Sequence, residues 1–354
     1  MEEYSRINCI AHILNLILTN TFKKPVLQEV APRILQLLTS CKSLVEYLKR
    51  SGNCQKLDTT VRQECTSRWN TKFDMLLSIR RNFSTIEEIL ATAKEEHRLQ
   101  GIEKYVIDRL ILFLHPFKTA TLLFESDRKP TIHLVLLHMH ILKEKLLKLQ
   151  NEETSPEVQA VIRHCLDNVF DSKFEPHRIH KIAAFLWPDY KQLRFLDNNT
   201  RDEIYALVKD ELTCILANSE RCSATLSSSD SNEIDLHAIT SDCSDAEDDG
   251  QLSNKYKDIY IGTDENWQSQ INVEMELYKG SRATDGNIVR WWRSHEKDFP
   301  LLHQLARKIL CIPTSSASSE RAFSSANRVL EERRSTLMGE NIDAILFLHS
   351  AGQD

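Results

Sequence analysis

The sequence predicts a mainly α-helical protein, and three observations lead there. Glycine and proline number only 8 and 9 in 354 residues, well below their usual shares of ~7% and ~5%. Strong helix formers, above all Leu, Glu and Lys, run through most of the chain. Apolar residues recur three and four positions apart in segment after segment, the spacing of one helix face. A chain of this length can bury a sizeable core and hold two or three domains.

The elements follow in order. Ile7, Ile10, Ala11, Leu14, Ile17 and Leu18 set the first helix. Leu27 to Leu48 reads as one second helix, with Val30, Ile34, Leu37, Leu38, Cys41, Val45 and Leu48 along it and Pro32 near its start, where the missing N–H is tolerated. Thr66 and Ser67 offer a cap for a helix carrying Trp69, Phe73, Leu76 and Leu77. A helix from Gly101 to Leu114 is expected to stop at His115-Pro116. Further helices are predicted over 134–149, 156–169 and 202–216.

The periodicity then fails. Between Cys222 and Asn254 there are eight acids and no Lys or Arg. A Ser- and Asp-rich stretch of this kind cannot offset an ordering cost of roughly 1–2 kcal/mol per residue, so it reads as a disordered acidic loop. Setting it aside turns the net charge of −6 into +2, which permits nucleic-acid contact without signalling it. Helical periodicity returns over 267–278, 287–295, 301–310, 318–334 and 340–349, with Gly339 as a C-cap candidate between the last two. No apolar run reaches the length of a membrane span, and the opening MEEYSRIN has no signal-peptide pattern. Nine scattered cysteines without a C-x-x-C pair fit reduced thiols in the cytosol or nucleus.

The segment Trp291–Ser350 holds the most specific order of features: a Trp pair, Phe299-Pro300, an apolar helix, a Cys311-Ile312-Pro313 break, and a Ser-rich turn into Ser319-Glu320-Arg321-x-Phe323-Ser324. This order resembles the C-terminal dimerisation region of hAT-family transposases. Other matches extend the resemblance: Cys9-Ile10-Ala11-His12, the triplet Arg68-Trp69-Asn70, Leu114-His115-Pro116-Phe117, and Ala184 to Lys191, where Trp187 and Asp189 depart from the family pattern. The resemblance implies a helical insertion domain plus the C-terminal helices of an incomplete RNase H-like fold. It divides the chain into a helical insertion region (1–220), the acidic loop (221–262) and the dimerisation region (263–354).

It also implies roles. RNase H-type strand transfer needs three carboxylates around two metal ions, and Glu320 occupies the position of the third acid. By itself, a Glu in a first helical turn signals only a favourable helix-dipole interaction. Ser315 or Ser318 would cap its helix. The family's two Asp residues lie upstream of the C-x-x-H motif. Only eight residues precede Cys9, and none is an Asp, so the chain is expected to be catalytically incomplete, without transposase activity. Cys9 and His12 share a helix face, but a structural zinc needs four ligands and no second pair has matching spacing, so buried packing is the favoured role and no metal site is expected. Trp69 has two readings: a core aromatic in phase with Phe73, or, from the resemblance, a platform for a flipped base, worth about 1–3 kcal/mol per base.

Self-association is expected through Trp291, Trp292, Phe299, Leu302, Leu305, Phe323, Ile342, Ile345, Leu346 and Leu348. Adjacent tryptophans point about 100° apart on a helix, so one can face the core and the other a partner; on physics alone an intramolecular core is an equal reading, and the resemblance tips the balance toward dimerisation. The expected protein is nuclear and pairs with itself or a related hAT-type chain. It makes weak DNA contact at most, and uses no cofactor, membrane or small-molecule substrate. The alternative is a fragment of an active transposase whose BED finger and catalytic Asp residues lie outside this chain. A third reading is a helical scaffold that docks through its acidic loop.

Overall fold

The computed structural model describes residues 7–65, 69–126, 128–226, 267–282 and 286–329, together with 340, 341, 343, 344 and 347. Among them there is no strand, and helices follow one another along the chain. They are α1 (Ile10–Thr21), α2 (Lys24–Val30), α3 (Pro32–Arg50), α4 (Trp69–Arg81), α5 (Phe83–Ala93), α6 (Lys104–Phe124), α7 (Val135–Glu152), α8 (Pro156–His164), α9 (Asp171–Lys173), α10 (Arg178–Phe185), α11 (Asn198–Leu226), α12 (Trp267–Gly280), α13 (Ile288–Ser294), α14 (Pro300–Leu310) and α15 (Ala317–Val329). No helix among the described residues is long and apolar enough to cross a membrane.

The chain forms two compact units. The first comprises residues 1–131, 135–177 and 313–354; the second comprises 132–134 and 178–312. These units cut across the divisions 1–220, 221–262 and 263–354, because the region after residue 263 contributes to both.

In the first unit α6 is central, packing on α1, α4 and α7. Its buried stripe of Phe113, Phe117 and Phe124 meets Phe22, with the Phe22 and Phe113 rings 6.0 Å apart. The expected stop at Pro116 is corrected, since α6 runs on to Phe124. Proline inside a helix costs about 3 kcal/mol. Here the carbonyl it leaves unpaired belongs to Leu112, a residue 46% exposed, where water can reach it. Phe117, Ala120 and Phe124 beyond the proline are buried, and large side chains contribute about 1.5–3 kcal/mol each. Burial therefore outweighs the break.

The single helix expected over 27–48 is also corrected. Ala31 adopts φ −152°, ψ 68° between α2 and α3, because the residue before a proline is pushed out of the helical region. The helix expected over 156–169 ends as α-helix at His164 and continues as a π-turn over Cys165–Phe170. Helices α5 and α10 lie where no helix is predicted. The irregular stretch before α4 is held by Asn82, whose side chain accepts from the Thr59 N–H (3.0 Å) and donates to the Thr59 carbonyl (2.9 Å).

In the second unit α11 packs on α10, α12 and α14. It runs through Leu226, so the first residues assigned to the acidic loop are helical, and 227–266 lie outside the described residues. Tyr278 is fully buried in a cluster with Phe185, Trp292 and Phe299, whose rings lie 5.2, 5.2 and 5.6 Å away. Asn287 caps α13 by accepting from Val289 and Arg290 N–H, each at 3.1 Å.

Asn82 is 1% exposed, and Asn82→Ala would remove the side-chain bonds to Thr59 and to the Ser78 carbonyl. We expect a loss of about 1–3 kcal/mol, read as a lower urea midpoint at unchanged slope.

Candidate functional site

The turn before α15 is built by one residue. Thr314 is 3% exposed. Its hydroxyl donates to the Phe124 carbonyl at the end of α6 (3.1 Å) and shares a hydrogen bond with the Thr131 hydroxyl (2.6 Å). Its carbonyl accepts the Ile10 N–H at the start of α1 (2.9 Å). Thr314 thus ties two helix ends of the first unit to the Ser-rich turn.

Around that tie, two sequence motifs 306 positions apart come together. The Cys9 thiol donates to the Ser315 hydroxyl at 3.5 Å and accepts the Ser316 N–H at 3.4 Å. Burial pushes the Cys9 thiol up, but its hydrogen bonds with Ser315, Ser316 and the backbone outweigh that and hold it below its ordinary value. Ser315, rather than Ser318, caps α15 by accepting the Ala317 N–H at 3.1 Å. Ser316 donates its hydroxyl to Glu320 Oε1 at 2.7 Å, which orients that carboxylate.

A further carboxylate stands by. Glu125 follows the end of α6, and its carbonyl accepts from the Arg321 guanidinium at 3.5 Å. Burial raises the pKa of its carboxyl, Arg321 and Lys118 oppose that, and Glu320 adds to it. Sequence reasoning missed Glu125, since no motif marks it and only the docking of the turn onto α6 brings it into electrostatic reach. Among the described residues no group of three His, Cys, Asp or Glu side chains stands together.

The other candidates fall elsewhere. His12 is exposed and Cys9 half-buried, so the expectation that both are buried packing residues is corrected. The helix turns His12 outward while Ile10 and Ile13 face the core. Trp69 is 4% exposed. Its ring meets Phe117 edge-on at 6.4 Å, and its backbone N–H reaches Asn15 Oδ1 at 3.5 Å. It is a core side chain in this structure, without a free face for a base. Asn70 beside it is half-buried, and Arg68 lies outside the described residues.

Of the residues expected at a dimer interface, Trp291, Trp292, Phe299, Leu302 and Leu305 are 6% exposed or less and build the core of the second unit. The expectation that one tryptophan faces outward is corrected. Trp292 turns inward because its indole N–H finds the Leu186 carbonyl at 2.9 Å, and Trp291 because it stacks on His295 at 4.0 Å. Phe323 is 71% exposed. Ile342, Ile345, Leu346 and Leu348 lie outside the described residues.

Residues 264–351 match the hAT family C-terminal dimerisation region, and residues 7–110 match the ZBED1 RNase-like helical domain. The chain is 24% identical to the transposable element Hobo transposase of Drosophila melanogaster over 91% of its own length and 53% of that protein. It is 20% identical to the zinc finger BED domain-containing protein RICESLEEPER 1 of Oryza sativa subsp. japonica, covering 96% of this chain and 50% of that one. Against RICESLEEPER 2 of the same plant, identity is 32% over 24% of the chain and 12% of the relative. The chain spans about half the length, or less, of the curated relatives it matches.

Because Trp292 serves the interior, Trp292→Ala is expected to cost about 3–5 kcal/mol of folding stability. Thermal unfolding followed by circular dichroism would reveal it, and an unchanged midpoint would refute the assignment.

Proposed function

We propose that this chain, which is hAT transposase-like, self-associates through its C-terminal region and does not by itself carry out strand transfer. The match of residues 264–351 to a dimerisation region carries the first part of this reading. Phe323, exposed on α15, leaves an apolar side chain of that region free for a partner. The second part rests on the carboxylates. Two-metal chemistry needs three of them in one place. Glu320 is tied to Ser316 and has Glu125 as its neighbour, a carboxyl that burial pushes up while Arg321 and Lys118 favour its charged form. In this reading Glu320 contributes to the geometry of the Ser-rich turn, and DNA contact is weak and runs through the helical region matched over 7–110. Residence in the nucleus is part of the same proposal, supported by the likeness to transposase and BED-finger proteins.

A second reading is favoured by one observation, the coverage of only about half of the Hobo transposase. In it, the chain is the helical and C-terminal part of a longer DNA-transferring enzyme, whose remaining carboxylates come from outside this chain.

Light scattering on the intact chain separates success from failure of the first claim. Twice the 41.0 kDa chain mass is expected at micromolar concentration, and a single-chain mass at the highest soluble concentration would refute self-association. For the second claim, magnesium- or manganese-dependent nicking of transposon-end DNA should be absent. Nicking abolished by Glu320→Gln would establish the enzyme reading instead.

A further inference from the structure

Helices α12 and α14 meet through a carboxylate. Glu274 on α12 is 0% exposed. Its Oε1 accepts the Leu302 N–H at 2.7 Å, and its Oε2 accepts the Leu301 N–H at 3.3 Å, both in the first turn of α14. The cap of a helix usually comes from the residue that starts it. Here Phe299 holds that position and makes no side-chain cap bond, so the acceptor comes from another helix. The first-turn amides and the dipole of α14 favour a negative charge, but full burial disfavours it. Burial dominates and pushes the Glu274 carboxyl up to about 7, against the two amides.

The charged and titratable groups on the neighbouring elements are engaged elsewhere or face solvent. On α11, Glu211 pairs with Arg178 and Lys308, Lys279 sits over the Tyr205 ring, and Lys209 and Asp210 are exposed. On α14, His303 lies 3.7 Å from Glu296, and Arg307 is exposed. On α12 itself, Glu276 pairs with Lys279, and the Tyr278 hydroxyl donates to the Phe185 carbonyl.

We propose that Glu274 is a proton-sensitive latch, holding the N-terminus of α14 against α12 when protonated and loosening it when ionised. The sign follows from linkage. The latched state binds more protons than the opened one between the ordinary carboxylate range, about 4.3, and about 7. Latching is therefore strongest below that window, weakens as pH rises through it, and levels off above it. The device does not depend on self-association.

Four of the five tryptophans, Trp187, Trp267, Trp291 and Trp292, belong to the second unit, so tryptophan emission during denaturant unfolding reports it. The full chain should show an opening equilibrium on the order of 10- to 100-fold more favourable at pH 8 than at pH 5. Glu274→Gln should flatten that dependence, while the solvent-facing Glu276→Gln should keep it. A wild-type profile that is flat, or a Glu274→Gln profile parallel to it, overturns the proposal. Should Glu274→Gln fail to fold by circular dichroism, amide exchange of Leu301 and Leu302 in the wild-type chain decides. After correction for intrinsic rates, protection that falls from pH 5 to pH 8 supports the latch, and constant protection refutes it.

Discussion

An α-helix leaves unpaired N–H groups at its start and unpaired carbonyls at its end, and at four helix ends of this chain the groups that meet them come from far along the sequence. The end of α10 is met by the Tyr278 hydroxyl and the Trp292 indole N–H, at the carbonyls of Phe185 and Leu186. The end of α6 is met by Thr314 and Arg321. The start of α1 is met by the Thr314 carbonyl, and the start of α14 by Glu274. Each such group, left alone in a buried place, would cost about 1–3 kcal/mol. The C-terminal third is therefore part of the structure that the first two-thirds begins, in both compact units.

This explains why Tyr278 and Trp292 of the C-terminal region lie inside. Tryptophan is common at interfaces because it combines a large apolar ring with one polar donor. The same combination suits a helix end that needs a donor in an apolar setting. Trp292 meets that need at Leu186, and Tyr278 does the same at Phe185. Composition alone does not distinguish the two uses. Phe323, which has no polar group to place, is the large side chain of this region left exposed on α15.

Docking of the Ser-rich turn has a parallel consequence for the two motifs at the chain's extremes. Cys9 and Glu320 share Ser316 as a hydrogen-bond partner, and Cys9 also meets Ser315. The arrangement is cohesive in the ordinary sense: hydrogen bonds hold a turn, and the turn holds a carboxylate. It also couples Glu320 to Glu125, a relation between residues almost two hundred positions apart.

The helical character, the positions of most helices and the C-terminal signature were legible in the residues themselves. Few breakers and a 3.6-residue apolar period are local properties, as is the capping preference of Asn287. The helix does not stop at Pro116, because a local rule costing about 3 kcal/mol competes with burial of Phe117 and Phe124, which only the packed helices supply. The inward turn of both tryptophans, the burial of Trp69 and the exposure of His12 likewise depend on which partner each face meets. So does the pairing of Glu274 with α14. Periodicity states that a face is apolar; the tertiary structure alone decides what covers it, because hydrogen-bond partners and burial are properties of residues brought together from distant parts of the chain.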